Sequence, residues 1–152
     1  MPLVVNGWTI LYYPPLFGRQ FAELRAEVRH LKKTLSPKDY REHPKVKLGA
    51  AIHHLVTQVV PMDPDAEEYR LSGDLSAYRR AKKRGLPPRY RLFWVFSSKA
   101  RGIIFLYFND ETTLRKTGSK TDVYEVFRDL VRRGEIGPDF ASNFRRWLEA
   151  HQ

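Results

Sequence analysis

The spacing of apolar residues changes several times along this chain, and each change marks an element. Residues 3–13 are branched and aromatic and are broken by Asn6-Gly7, which predicts one or two short strands, a small hairpin, ending at Pro14-Pro15. From residue 16 the period lengthens: Phe17, Phe21, Leu24, Val28, Leu31 and Leu35 recur at three and four, the stripe of an amphipathic helix. Ser36-Pro37 predicts a second start, with Ser as cap and Pro in the first turn. That second helix breaks near His43-Pro44 and carries Leu48, Ile52, Leu55, Val56 and Val59 on one side. Two such helices in succession predict a helical hairpin laid on a sheet.

The period then drops to two. Strands are predicted over residues 69–71, 77–83, 89–97 and 102–109, and residues 102–108 are apolar on both faces, the mark of a central strand. Past Asn109-Asp110-Glu111 the chain leaves the sheet. Ser119 with Asp122 three residues on resembles a capping box, and Val123, Val126, Phe127, Leu130 and Val131 form the stripe of a third helix that stops at Gly134. Pro138-Asp139 opens a last helix with Phe140, Phe144, Trp147 and Leu148 on one side. The expectation is one α+β domain over residues 1–152: an N-terminal strand and a helical hairpin on an antiparallel sheet, then C-terminal helices.

Composition narrows the function. Lys and Arg outnumber Asp and Glu 27 to 17, a formal charge of +10, which points to nucleic acid, an anionic membrane or an acidic protein as partner. No cysteine is present, so disulfides, thiolate zinc sites and a cysteine nucleophile are excluded, and no apolar run approaches the ~20 residues that span a bilayer. Without a signal-peptide pattern at the N-terminus, the cytoplasm is the expected compartment and no membrane partner is expected. His53 and His54 are adjacent, about 100° apart on a helix, and the other histidines are scattered, so no metal site and no cofactor are expected.

The candidate chemistry lies in residues 78–96. Tyr78-Arg79-Arg80-Ala81-Lys82-Lys83-Arg84 packs cations around one aromatic residue, and after Gly85-Leu86-Pro87-Pro88 the run Arg89-Tyr90-Arg91 carries two more into an apolar strand. Strand alternation puts Arg80 with Lys82 on one face and Arg89 with Arg91 on one face, and pairing across the turn makes a cationic plate. Desolvating such charges without partners costs several kcal/mol each, so the plate faces water or a polyanion. Arg and Lys hold phosphates while Tyr78 and Tyr90 can stack bases, as single-stranded RNA requires. For cleavage, Arg80, Arg91 and Arg115 are candidate charge stabilisers; Lys82 or Tyr124 is a candidate acid or base if neighbouring charge lowers its pKa.

One longer string is specific. Asn109-Asp110-Glu111-x-Thr113-Leu114-Arg115-x-x-Gly118-x-Lys120-Thr121-Asp122-x-Tyr124-x-Val126-Phe127, followed by Leu130-x-x-x-Gly134, resembles the C-terminal signature of the YhaV-type toxins of the RelE/ParE superfamily. Arg79-Arg80-Ala81-Lys82, Arg89-Tyr90-Arg91-Leu92-Phe93 and the opening Val5-Asn6-Gly7-Trp8 are similar too, so the likeness covers nearly the whole chain. Two features depart from the pattern: Tyr78 stands where the family usually has Trp, and the turn over 83–88 is longer and less glycine-rich.

The resemblance implies a RelE-like fold and the toxin of a bacterial type II toxin–antitoxin system. It implies a metal-independent endoribonuclease that cleaves mRNA by 2′-OH attack, in the wider superfamily often on the ribosome, and so inhibits translation and growth. The implied catalytic residues are Arg80, Lys82, Arg91, Arg115 and Tyr124, with Tyr78, Arg79, Lys83, Arg84, Arg89, Lys116 and Lys120 as RNA-binding residues. The implied partners are RNA, a PrlF-type antitoxin of AbrB-like fold and, through that complex, operator DNA. Two other classes stay open at this point: a non-catalytic member that binds RNA or DNA through the same plate, and a gyrase poison like some ParE relatives.

Overall fold

A computed structural model of the chain describes residues 2–152. Asn6 and Gly7 both take positive φ, 49° and 80°, the left-handed pair that a tight hairpin turn demands. Strand β1 (Leu3–Val5) therefore folds back on β2 (Trp8–Tyr12), with Val5 opposite Trp8. A wide turn over Pro14–Gly18 leads into α1 (Arg19–Thr34). The Ser36 hydroxyl then accepts from the Asp39 N–H and opens α2 (Pro37–Glu42). His43, ahead of a proline and so driven out of helical geometry, breaks the helix and caps α3 (Pro44–His54) by accepting from the Lys45 N–H.

The sheet contains β1, β2, β3 (Arg79–Ala81), β4 (Leu92–Ser97) and β5 (Gly102–Phe108), in the order β1-β2-β5-β4-β3. Every residue of β5 is buried, as a run that is apolar on both faces must be. The sheet is not antiparallel throughout: β2 and β5 pair in parallel, because the long crossover through the helices and the β3–β4 hairpin allows it. Residues 69–71 are not a strand; Glu67–Tyr69 is a 3-10 turn, joined to β3 through a single Arg70–Arg79 bridge. The two basic strands are also shorter than predicted. Pro87 and Pro88 offer no N–H to a ladder, and Arg84 and Arg89 take φ of 66° and 72°, so the hairpin opens into an irregular loop.

Each sheet face buries one set of helices. On one side Trp8, Ile10, Leu92, Trp94 and Phe105 pack with Phe17 and Phe21 at the start of the helical hairpin and with Ile52 and Leu55 at its end. On the other, Leu11, Phe93, Val95, Ile104 and Leu106 meet Val123, Phe127 and Leu130 of α4 (Val123–Arg132) and half-buried aromatics of α5 (Phe140–Ala150). Phe93 and Phe127 stack at 4.1 Å, and burying each ring is worth about 2–3 kcal/mol. Asp122, not Ser119, caps α4: its carboxylate accepts from the Tyr124 N–H, while the Ser119 hydroxyl closes its own turn on the Thr121 N–H. Gly134, at φ 77°, ends α4, with the Gly134 and Glu135 N–H groups returning to Val131 and Leu130.

Candidate active site

Tyr124 sits in the first turn of α4, and three guanidinium groups converge on it. Arg91 Nε donates to the Tyr124 hydroxyl at 3.2 Å; the Arg91 and Arg80 guanidiniums each lie 6.0 Å from the ring centroid, and that of Arg115 lies 4.8 Å away. Core packing sets this geometry. Arg80 lies opposite Phe93 in the β3–β4 ladder, and Phe93 stacks on Phe127 and meets the Tyr124 ring edge-on at 5.8 Å. The strand that carries Arg80 and the helix that carries Tyr124 are thereby fixed to one aromatic cluster.

Arg91 and Arg115 reach the same point from loops. Buried Asn109 accepts from the Arg91 N–H at 2.8 Å and donates to the carbonyls of Arg89 and Thr113, and the Arg115 N–H bonds to Arg89 O at 2.9 Å. Arg115 Nη1 then donates to Asp122 Oδ2 at 2.9 Å, a carboxylate only 3% exposed. Arg80 Nη1 donates to Glu68 O, while Arg80 Nε is buried with no partner among the described residues. An unmet buried donor costs roughly 1–3 kcal/mol, which the fold bears at this position.

Lys82 is exposed just past β3, beside Glu68, Tyr69 and Arg84 and within range of the Arg80 and Arg91 charges. The charge of Arg80 first, then burial, Lys83 and Arg91, hold its ammonium below the usual lysine range. Cations gathered this closely repel one another, Asp122 pairing only with Arg115, and an anion placed among them relieves that repulsion. Three guanidiniums, an ammonium and a phenol can grip a phosphodiester and move protons at its oxygens. No group of three His, Asp or Glu side chains positioned to hold a metal occurs among the described residues.

Of the five residues expected to be catalytic, Arg80, Arg91, Arg115 and Tyr124 are brought together, and Lys82 lies near enough to feel the Arg80 and Arg91 charges. Several of the expected RNA contacts are not part of this group. Tyr78 is in the core: its hydroxyl donates to Gly137 O at 2.8 Å, its ring meets Phe127 edge-on, and burial pushes its pKa up to about 12. It shares the Arg80 face of the strand as alternation requires, but α4 and the Gly137 turn cover it.

Arg79 points the other way, into an ion pair with Asp65 at 2.8 Å and over the Phe96 ring. Arg84 pairs with Glu68 at 2.6 Å. Arg89 lies in the irregular loop and does not share a strand face with Arg91. Lys83, Lys116 and Lys120 are exposed, and Lys120 lines a cavity beside Tyr124. Two residues that the sequence reading left without this role hold the site together. Asp122 carried a signal, an Asp directly ahead of an apolar-periodic run, whereas nothing local marked Asn109 as a clamp.

An α+β protein whose sheet and helices gather guanidinium groups around one tyrosine has the layout expected of a RelE-like toxin. Residues 11–147 match the YhaV toxin family, described as toxins with endonuclease activity of toxin–antitoxin systems, and the chain belongs to that family. It is 34% identical over 153 residues to the ribonuclease toxin YhaV of Escherichia coli strain K12, covering 99% of this chain and 98% of the relative. The same figures hold for toxin YhaV of E. coli O157:H7 and of O6:H1 strain CFT073. Membership implies an antitoxin partner. No helix among the described residues is long and apolar enough to cross a membrane.

Proposed function

We propose that this protein is an endoribonuclease toxin that breaks RNA at the Arg80, Lys82, Arg91, Arg115 and Tyr124 cluster. The observation that carries the reading is the convergence of three guanidiniums on the Tyr124 ring and hydroxyl. With the scissile phosphate among them, the arginines stabilise the charge that builds on its oxygens, a contribution of ~10²–10³ in rate for each well-placed donor.

The ribose 2′-oxygen bonds to phosphorus and the bond to the 5′-oxygen breaks, leaving a 2′,3′-cyclic phosphate and a free 5′-hydroxyl. Lys82, its pKa lowered by Arg80, takes the 2′-proton as the neutral amine. The Tyr124 hydroxyl accepts from Arg91 Nε, keeps its own hydrogen free and passes it to the departing 5′-oxygen.

The substrate in this reading is mRNA, so cleavage stops translation and growth. The antitoxin is a PrlF-type protein of AbrB-like fold, and the pair represses its own operon. Family membership supports an antitoxin, and the resemblance in residues 109–134 supports this finer assignment.

The test is incubation of purified protein with an RNA oligomer in EDTA, with and without ribosomes. Fragments ending in 2′,3′-cyclic phosphate are expected, and Arg80→Ala should abolish them while the protein still binds RNA. Intact RNA in both arms, or equal cleavage by Arg80→Ala, overturns the reading. DNA damage with no change in RNA length would point to gyrase instead.

A further inference from the structure

Beside the arginine cluster lies a cavity of about 480 Å³, in the size range of small-ligand sites. Tyr124 and Arg115 are walls of both. The rest of the lining comes from the loop between β5 and α4, with Thr117, Gly118, Ser119, Lys120 and the buried Asp122, and from Glu125 on the helix. Arg128 closes one end but is neutralised, its Nε donating to Asp74 at 2.7 Å and its Nη1 to Glu125.

The chemistry of this lining differs from that of the cluster. The cluster is nearly all cation, suited to a phosphate and blind to sequence. The cavity combines one ammonium, two guanidiniums already paired with carboxylates, an aromatic ring, two hydroxyls that donate or accept, and the Asp122 and Glu125 carboxylates, which only accept. Those groups distinguish base edges, which phosphate contacts cannot do, and unstacked bases of single-stranded RNA are read in this way. No ion pair engages Lys120 among the described residues, and the Thr117 and Gly118 backbone N–H groups have no acceptor there.

We infer that this cavity is a second subsite, taking the nucleotide next to the scissile phosphate and setting which RNA sequence is cut. The inference rests on the ribonuclease reading for its placement. Tyr124 serves both sites: its hydroxyl faces Arg91, and its ring forms the wall against which the neighbouring base lies. Lys120 holds the flanking phosphate, and Ser119, Thr117 and Glu125 read the base edge.

Cleavage positions on a mixed-sequence RNA, mapped for the wild type, Ser119→Ala, Thr117→Ala and Glu125→Gln, provide the test. A base preference at one position flanking the cut is expected in the wild type. At least one variant should lose about tenfold at the favoured base, the effect of one recognition hydrogen bond, with little loss at the others. A uniform loss at all sites, an unchanged preference in all three variants, or a wild type indifferent to flanking bases overturns the inference.

A second arm measures binding of uncleavable 2′-O-methyl oligomers that vary at the same position. Base discrimination that Ser119→Ala, Thr117→Ala or Glu125→Gln abolishes upholds the subsite even if the wild type fails to cut RNA, in which case only the ribonuclease reading falls. Equal binding of all four bases in that arm overturns the subsite.

Discussion

Arg115 and Asp122 form an ion pair at 2.9 Å in which one partner belongs to the candidate site and the other to the scaffold. The same carboxylate accepts from the Lys116 and Tyr124 N–H groups, so one buried acid caps α4, anchors the loop that enters it and aims the guanidinium over the Tyr124 ring. Its position makes Asp122 a positioning residue. It holds no substrate itself, and it fixes two groups that are proposed to.

Asp122→Asn can keep the cap to the Tyr124 N–H with its one oxygen, but it removes the charge that holds Arg115 and the second oxygen that accepts from the Lys116 N–H. Because Arg115 is about one-third exposed, the expected loss of stability is modest, roughly 1–2 kcal/mol in urea melts, below the 3–5 of a fully buried pair. Cleavage should fall about tenfold to a hundredfold, mostly in kcat, because a misaimed guanidinium still attracts RNA. Adding Arg115→Ala should cost little more, since the two residues act as a unit.

Lys82 gives the cleavage reaction a pH signature. The Arg80 charge, then burial, Lys83 and Arg91, depress its pKa, so the neutral amine appears at lower pH than for a free lysine near 10.4. With the amine as base, kcat/KM rises with pH through that depressed pKa and then levels. Lys82→Arg, which keeps its proton, should remove the rise. Lys83→Gln, which removes another of the depressing charges while leaving Arg80 in place, should move the limb to higher pH; an unmoved limb would assign it to another group.

Tyr124 as acid is testable with a leaving group that needs no proton. RNA carrying sulfur in place of the 5′-bridging oxygen should be cut by Tyr124→Phe almost as fast as by wild type, although Tyr124→Phe is slower by ~10²–10³ on ordinary RNA. Lys82→Ala should stay slow on both substrates. If sulfur rescues Lys82→Ala instead, the two roles are reversed.

Arg79 separates scaffold from site. Burial works against charge on Asp65, but the Arg70 and Arg79 guanidiniums outweigh it and hold the carboxyl below the usual range. A folded pKa below the unfolded one adds stability that is present above about pH 4 and lost as pH falls through the folded value. Melting temperature should therefore decline on acidification below about pH 4, and less steeply in Arg79→Ala. That variant should cleave RNA at nearly the wild-type rate, whereas loss of cleavage without loss of fold would return Arg79 to the RNA face.

Most of the fold was legible in the spacing of apolar residues. Asn6-Gly7, Ser36-Pro37 and Gly134 fall at real element ends because each residue type fits a backbone geometry that few others tolerate. The ends of β3 and β4 were less legible, because Pro87 and Pro88 withdraw ladder donors over a longer stretch than alternation alone suggests. Among the candidates, Arg80, Arg91, Arg115 and Tyr124 do meet, but Tyr78 and Arg79 do not join them, although they lie within two residues of Arg80.

An α+β chain with a surplus of cations, a doubly buried strand and a C-terminal string that carries Arg115, Asp122 and Tyr124 in fixed spacing follows from residue order alone. Those properties are local: periodicity, caps and charge count follow from neighbours along the chain. Which cations stand bare and which are spent in ion pairs is set by the folded packing, because it depends on which distant segment comes to lie beside each one. Asp65 and Glu68 meet Arg79 and Arg84 from 14 and 16 residues away, while Tyr124 meets Arg91 from 33. The meeting of Arg91 with Tyr124 is fixed by the packing of Phe93 on Phe127 and by the Asn109 clamp, neither of which any short stretch of sequence contains.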